Sequence, residues 1–336
     1  MAESPPRPLT PESEDPALDQ SLRPRGFHEF VGQRRVVDNL AVYLQAAKAR
    51  SEAIDHVLLS GPPGLGKTTL AHLIARDLGV NLRITSGPVI ERPYDLVGLL
   101  TSLEHRDVLF IDEIHRLPRA VEEYLYSAME DYRIDIVIDQ GPAARSVPID
   151  LRRFTLIGAT TREGLLSAPM RSRFGVLERL DFYPPEELVE ILRRSSSLLG
   201  VAVDDPALHA MAGRSRGTPR VANRFLRRIR DLAQVKGAGT ITAPLADEGL
   251  AMLGVDEHGL TPLDREILRC LQRLGGGPVG LKTVAISVGE EERTLEDVYE
   301  PFLIRQGLLL RTPRGRKLTL EGRKLLRPGA RDGLFA

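Results

Sequence analysis

One eight-residue run limits what this chain can become. Gly61-Pro62-Pro63-Gly64-Leu65-Gly66-Lys67-Thr68 fits the spacing G-x-x-x-x-G-K-[ST]. A short apolar stretch, Val57–Leu59, precedes it, and a helical pattern, Thr69–Leu78, follows and stops at Gly79. Strand, glycine loop and helix in that order make a phosphate cradle. The glycines let backbone N–H groups wrap an anion, and the helix N-terminus adds the positive end of its dipole. The chemistry assigns Gly61, Gly64 and Gly66 to the loop. Lys67 is expected to reach the β- and γ-phosphates, the Thr68 hydroxyl to ligate Mg²⁺, and Thr69 to stand beside them at the nucleotide.

A strand ending in two carboxylates belongs with such a cradle. Val108-Leu109-Phe110-Ile111 runs into Asp112-Glu113. Asp112 would hold Mg²⁺ through water, because magnesium keeps most of its hydration shell. Glu113 would orient and polarise an attacking water. His115 is either a second base or, more simply, a solvated histidine at a helix start. A further apolar run, Phe154–Gly158, leads to Ala159-Thr160-Thr161-Arg162. Thr161 is the first choice, and Thr160 the second, for a contact to the γ-phosphate and the lytic water. The alternative is a strand end that simply holds two threonines.

Short apolar runs at His56–Ser60, Asn81–Thr85, Asp107–Ile111 and Phe154–Gly158 alternate with helical stretches, the first of them at about 36–50. That alternation predicts an α/β fold with a parallel sheet covered on both faces. Arg133–Ile138 and Arg145–Leu151 flank a Gly-Pro turn at Gln140–Ala144 and read as a β-hairpin. Ile134, Ile136 and Ile138 give it one apolar face. Such a face is either a partner surface or a cover for the chain's own core.

Residues 1–20 are rich in Pro, Glu, Asp and Ser and read as a disordered tail. Pro184-Pro185 breaks the chain, and the pattern beyond it is helical; a second break falls at Gly254–Gly259. The expected division is a tail at 1–20, a large domain at 21–183, a helical lid at 184–255 and a third domain at 256–336. The single cysteine, Cys270, allows no intramolecular disulfide and no cysteine zinc cage, and reads as a core residue. No stretch approaches the roughly 18 apolar residues of a membrane span, and the N-terminus has no apolar signal region. A cytoplasmic protein with no membrane partner is expected.

The third domain starts at Thr261-Pro262, a helix cap followed by proline at the first helical position. Helices at Thr261–Leu274, Leu281–Val288 and Thr294–Arg305 precede two alternating runs, Leu308–Arg311 and Lys317–Leu320. Three helices and a hairpin give the winged-helix order. Formal net charge is zero, so a basic surface must be local. It gathers here, in Arg305, Arg311, Arg314, Arg316, Lys317, Arg323, Lys324 and Arg327. That is the footprint of a polyanion binder or, more plainly, a solvated basic hairpin. Gly315 would let the turn approach a phosphate backbone closely.

These segments together resemble a known family. Leu22-Arg23-Pro24, F-V-G-Q at Phe30–Gln33, G-P-P-G-L-G-K-T-T-L-A, L-F-I-D-E-I-H-R-L, G-A-T-T-R, R-S-R-F-G, R-G-T-P-R and R-T-P-R-G-R follow one another from residue 22 to about 327. In this order they are similar to the RuvB family of AAA+ ATPases. The resemblance implies an ATP- and Mg²⁺-dependent motor that forms a homo-hexamer around duplex DNA at Holliday junctions. Its partners would be RuvA, through the hairpin, and the RuvC resolvase.

The resemblance also implies site roles. Arg173 matches an arginine finger that acts in the neighbouring subunit's site, with Arg171 the second choice. Arg220 matches a nucleotide sensor on the lid. Leu22 and Arg23 match a segment covering the base, Tyr183 a hinge contact, and Glu130, Asp131 and Tyr132 a further nucleotide-contacting stretch. Ordinary reading makes Tyr183 a core aromatic and Glu130-Asp131 a solvated helix end. Arg311 and Arg316 match DNA contacts, with Arg314 between them. Arg293 is a further match, although the family's arginine sits one residue further from the following threonine. A clamp-loader subunit would lack the winged-helix end. A protein unfoldase would carry a pore loop that Pro93-Tyr94-Asp95-Leu96 does not fit. A nucleotide-switched DNA-binding regulator would bind without moving.

Overall fold

The computed structural model describes residues 21–138 and 145–326. The expected tail, the Gly-Pro turn of the hairpin and Arg327 lie outside those residues. The chain divides into two compact units. One runs up to Ile191 and takes back Thr218–Arg220; the other holds Leu192–Gly217 and the chain from Val221 on.

The first unit carries β1 (Val57–Ser60), β2 (Leu82–Ser86), β3 (Val108–Asp112), β4 (Arg133–Ile138), β5 (Arg145–Asp150), β6 (Thr155–Thr160) and β7 (Val176–Arg179). Five of these form one sheet in the order β2-β3-β6-β1-β7, with every pairing parallel. The inner strands β1 and β6 are buried throughout, and β3 is buried up to Asp112. A strand covered on both faces must be apolar along its whole length, which is why these three read as unbroken runs. The edge strand β7 alternates buried and exposed residues over four positions. Half-covered and short, it has no continuous apolar run, and sequence reading missed it.

The helices of this unit are α1 (Arg34–Arg50), α2 (Lys67–Leu78), α3 (Pro93–Thr101), α4 (Arg119–Glu130), α5 (Ala168–Ser172) and the first half of α6 (Pro185–Leu198). On one side of the sheet, Leu109 and Ile111 of β3 pack in one core with Leu96 and Leu100 of α3 and Val121 and Leu125 of α4. β4 and β5 pair antiparallel, Ile134 opposite Ile149 and Ile136 opposite Val147. The hairpin's apolar face is not wholly a partner surface. Ile134 is 1% exposed, and Ile136 and Ile149 pack against the same core, while Val147, further out, is 40% exposed. The face is core at its base and emerges toward solvent along the arm.

The second unit begins with the rest of α6, then α7 (Asp205–Arg214) and α8 (Pro219–Val235, whose first two residues belong to the other unit) and α9 (Ala243–Met252). A two-stranded parallel pair, β8 (Ala202–Val203) with β9 (Thr240–Ile241), closes this helical part. Next come α10 (Pro262–Arg273) and α11 (Leu281–Val288). The third helix, α12, runs on through Glu292–Thr294, a π-turn segment Leu295–Tyr299, and Glu300–Arg305. It starts at Glu292, two residues before the expected Thr294, which therefore sits inside the helix. Thr261 does cap α10: its hydroxyl accepts from the Asp264 N–H while Asp264 reaches back, a reciprocal box. β10 (Leu309–Thr312) and β11 (Gly315–Leu318) then pair around a two-residue turn, Pro313-Arg314, and α13 (Leu320–Leu325) ends the described chain. Leu268, Leu271, Leu303, Leu309 and Leu318 pack this domain's core, and Cys270 is buried as expected.

Candidate functional site

In a parallel sheet the ligand crevice lies beyond the carboxyl ends of the strands. Here β1, β3 and β6 end at Ser60, Asp112 and Thr160. The glycine loop follows β1, the acidic pair closes β3, and the two threonines close β6. The expected residues are thus brought to one rim by sheet order alone.

The helix after the loop starts at Lys67, two residues earlier than expected, so Lys67 and Thr68 stand on its first turn. Gly66 precedes it at φ 104 and Gly64 lies at φ 81, both in the left-handed region that side chains resist. Lys67 donates from Nζ to the Gly61 carbonyl at 2.7 Å and to that of Pro62 at 2.9 Å. Other segments close around the loop. Phe30 packs on Gly66, and the Tyr183 hydroxyl, buried, donates to the Leu65 carbonyl at 3.2 Å. Gln33 fastens Phe30's segment to Asp181 through two hydrogen bonds, of 2.6 and 3.1 Å. Arg220 comes back to Gly64, its N–H reaching the carbonyl at 3.4 Å. Leu22 is buried, and Arg23 is close enough to His72 to help lower that histidine's pKa, after burial itself. The Leu22-Arg23 pair, Tyr183 and Arg220 lie far apart in the sequence, yet all belong to the unit that carries the loop.

Burial pushes the Lys67 ammonium down to about 8; Arg220 adds to the fall, while Asp112 and Glu113 oppose it. A phosphate binds the ammonium form, so binding draws a proton back onto Lys67 when the pH is above its free-state value. Affinity for a nucleoside triphosphate should therefore be flat below about pH 7. It should weaken by up to about tenfold per unit above about pH 8. Calorimetric titration from pH 6.5 to 9.5 checks this; a flat profile across that range would sink it.

Glu113 adopts a left-handed backbone, φ 50, immediately after β3. Its carboxylate receives the Thr161 hydroxyl at 3.4 Å, and its Oε2 lies 3.5 Å from Nε2 of His115. His115 is not solvated: its side chain is 2% exposed, and Nδ1 shares a hydrogen bond of 2.9 Å with the buried Thr160 hydroxyl. Thr160 also accepts from the Arg162 N–H, so it holds the strand end together, and Thr161 is the hydroxyl beside the carboxylate. Sequence reading missed this role of His115, because a histidine in a turn gives no signal of what tertiary packing will do to it. The rim thus brings a carboxylate that receives a hydroxyl, Glu113 with Thr161, together with a buried lysine held over the glycine loop.

Arg173 belongs to a different patch. It donates to the Pro169 carbonyl at 2.8 Å and to Glu130 at 3.0 Å, and stacks 4.5 Å above the Tyr126 ring. Arg171 bonds the Glu163 carbonyl instead. Glu130 and Asp131 end α4, and Tyr132, at φ 52, packs edge-on against Phe154 at 5.8 Å with Arg153 over its ring. Glu130 and Arg173 share one patch, and Arg173's partners lie outside residues 61–69.

Three family models match in succession. They are described as the Holliday junction DNA helicase RuvB P-loop domain, the RuvB AAA lid domain and the RuvB C-terminal winged helix domain. They span residues 22–180, 183–256 and 257–327. The chain belongs to the RuvB family. A RuvB subunit of the branch migration complex of Myxococcus xanthus is 61% identical over 307 residues, covering 91% of this chain and 90% of the relative. One from Dehalococcoides mccartyi is 60% identical over 308 residues, covering 91% and 88%. The solved structure of the Thermotoga maritima RuvB Holliday junction branch migration motor matches with a TM-score of 0.84 at 51% identity, covering 91% of this chain and 98% of that one.

The RuvB winged-helix domain separates its arginines. Arg314, at the turn, is exposed, and the Arg311 side chain is 60% exposed, with Nη2 3.1 Å from Glu296. Arg293 pairs with Asp297 at 3.5 Å and is about half exposed. Arg316 departs from the expectation of a DNA contact. Its side chain is 10% exposed and its guanidinium is gripped by Glu296 at 2.9 Å and by both oxygens of Glu300. Gly315 is buried too. A side chain there would strike the Val279 carbonyl, so the glycine serves the backbone bridge between Val279 and Arg316 and not a phosphate. Glu296 and Glu300 lie one turn apart on α12, a spacing visible in the sequence, but only the folded hairpin shows which arginine they hold.

Proposed function

We propose that this chain is the ATP-hydrolysing subunit of a ring that drives branch migration of Holliday junctions. The carrying observation is one rim that joins a phosphate loop, an acidic strand end and a threonine pair, in a chain whose lid and winged-helix domains both belong to the RuvB family. Lys67 and the loop N–H groups bind the phosphates, with Gly61, Gly64, Gly66 and Thr69 lining the cradle. Leu22, Arg23, Tyr183 and Arg220 hold the nucleotide from the sides. Glu113 takes the proton of the attacking water, and Thr161 orients that water and the γ-phosphate.

Thr68 and Asp112 suit magnesium. Among the described residues no cluster of three or more His, Cys, Asp or Glu could cage a metal, whereas a hydroxyl and one carboxylate beside the cradle fit an ion that keeps its waters. Bound there, Mg²⁺ would neutralise charge on the phosphates. Arg173 serves the neighbouring subunit's site, with Glu130, Asp131 and Tyr132 beside it, and the working assembly is a hexamer. The domain division at 21–183, 184–255 and 256–336 follows the change from sheet to helical lid to winged helix. RuvA docks on the hairpin, at its outer part where Val147 is exposed. RuvC is a further partner at the junction. The described residues hold no helix long and apolar enough to cross a membrane, and work on DNA in the cytoplasm fits that.

The test is displacement of a synthetic junction by the purified protein with ATP and RuvA. ATP-dependent movement is expected, and ATP turnover with no displacement would overturn the reading in favour of a regulator. The DNA contacts are Arg311, Arg314 and Arg293, made to phosphates. Arg311→Ala should weaken duplex binding equally on unrelated sequences and flatten the salt dependence by about one unit of slope. Arg316→Ala should instead lower stability, by about 3–5 kcal/mol, because it leaves the buried Glu300 carboxylate uncompensated, while Glu296 keeps Arg311. Thermal unfolding beside DNA titration separates the two. A sequence-selective loss at Arg311, or an unchanged melting point at Arg316, contradicts these assignments.

A further inference from the structure

The segment Arg216-Gly217-Thr218-Pro219-Arg220 is where the chain passes from one compact unit to the other, between Gly217 and Thr218. Its downstream end belongs to the nucleotide site, since Arg220 bonds the Gly64 carbonyl of the phosphate loop. Its upstream end is anchored in the winged-helix domain. The Arg216 guanidinium pairs with Asp264 and lies 4.7 Å over the Phe302 ring. Asp264 sits in the first helix of that domain and Phe302 in the third.

Several observations show this anchor to be built and not incidental. Arg216 holds φ 59, a conformation that a non-glycine residue keeps only where its surroundings enforce it. The Asp264 side chain is 0% exposed, and its Oδ2 also accepts the Thr261 N–H at 2.7 Å and the Thr261 hydroxyl at 2.6 Å. The same carboxylate oxygen thus closes the cap of α10 and receives Arg216. The next residue, Gly217, lies against the Arg305 guanidinium at the end of α12 and holds φ 72, a conformation that a side chain would strain. The five residues Arg216–Arg220 therefore lead from the phosphate loop to the first and third helices of the winged-helix domain.

We propose that Arg216 is a positioning residue that couples the nucleotide state to the winged-helix domain. A change of angle at Thr218–Arg220 is delivered to α10 and α12 through the Asp264 pair and the Phe302 stack. The lid and the DNA-binding domain then turn as one body. This rests on the reading that the winged-helix domain grips DNA while the phosphate loop burns ATP.

The experiment uses the full chain with RuvA and compares ATP turnover without DNA, duplex affinity, junction displacement and ATP consumed per base pair moved. The paired substitution Arg216→Met with Asp264→Asn removes both charges at once, so that no buried carboxylate is stranded. ATP turnover and duplex affinity should stay within about twofold of the parent, while displacement falls by about tenfold and ATP consumed per base pair rises to match. Arg216→Lys alone keeps the charge but loses the planar stack, and should show the same split at about threefold. It decides the matter if the double variant does not fold. An unchanged ATP cost per base pair, or a parallel fall of turnover and displacement, overturns the proposal, since a merely structural role moves both together. Failure of the parent protein to displace junctions would instead overturn the underlying function.

Discussion

Arg173→Ala is expected to leave nucleotide binding intact and to lower ATP turnover by on the order of 10³–10⁵-fold, the range for an arginine that stabilises charge on a transferred phosphoryl group. The local cost should be small. Arg173 bonds Glu130, which is half exposed, and stacks on Tyr126, and pairs of that kind contribute about 0–1 kcal/mol. A folded, nucleotide-binding, inactive protein is therefore the predicted product. Its partners lie in a patch of their own, so the defect should be complementable. Mixing Arg173→Ala with Glu113→Gln subunits places an intact arginine against an intact glutamate at some interfaces and should restore part of the turnover. Mixtures no more active than either variant alone would put the arginine's action within its own chain.

Glu113→Gln carries the second large effect. The amide is nearly isosteric and can still meet the Thr161 hydroxyl, but it cannot accept a proton from water. ATP affinity should change little and turnover should fall by about 10²–10⁴-fold, the usual worth of a positioned general base. Single-turnover measurements separate the two quantities. The left-handed backbone at Glu113 and the buried His115 behind it argue that the carboxylate is aimed and not loosely placed. Turnover within threefold or so of the parent would assign proton acceptance elsewhere.

How much of this was legible beforehand varied with the physics involved. The phosphate loop, the acidic strand end and the threonine pair were visible because each is local: a handful of consecutive residues with fixed spacing makes the chemistry. The central strands were visible for the same reason, since burial on both faces demands unbroken apolar runs. The edge strand Val176–Arg179 was not, because a strand covered on one side over four residues leaves no pattern to find. Arg316 looked like its neighbours Arg311 and Arg314. Its fate depended on Glu296 and Glu300, sixteen or more residues away, and on which side of β11 the arginine faced. His115 likewise took its meaning from Thr160, forty-five residues on.

By itself, then, the sequence determined the kind of machine: a triphosphate cradle with its acid pair, an α/β sheet to carry them, and a basic winged-helix end, all encoded by short-range spacing and periodicity. Tertiary structure alone decided which like residues do unlike things. It set one wing arginine into a carboxylate clamp and left its neighbours in solvent, turned half of the hairpin's apolar face inward, and moored Arg216 to a buried aspartate. Those outcomes hang on pairings between distant segments, where burial raises the stakes of every charge, and no local pattern records them.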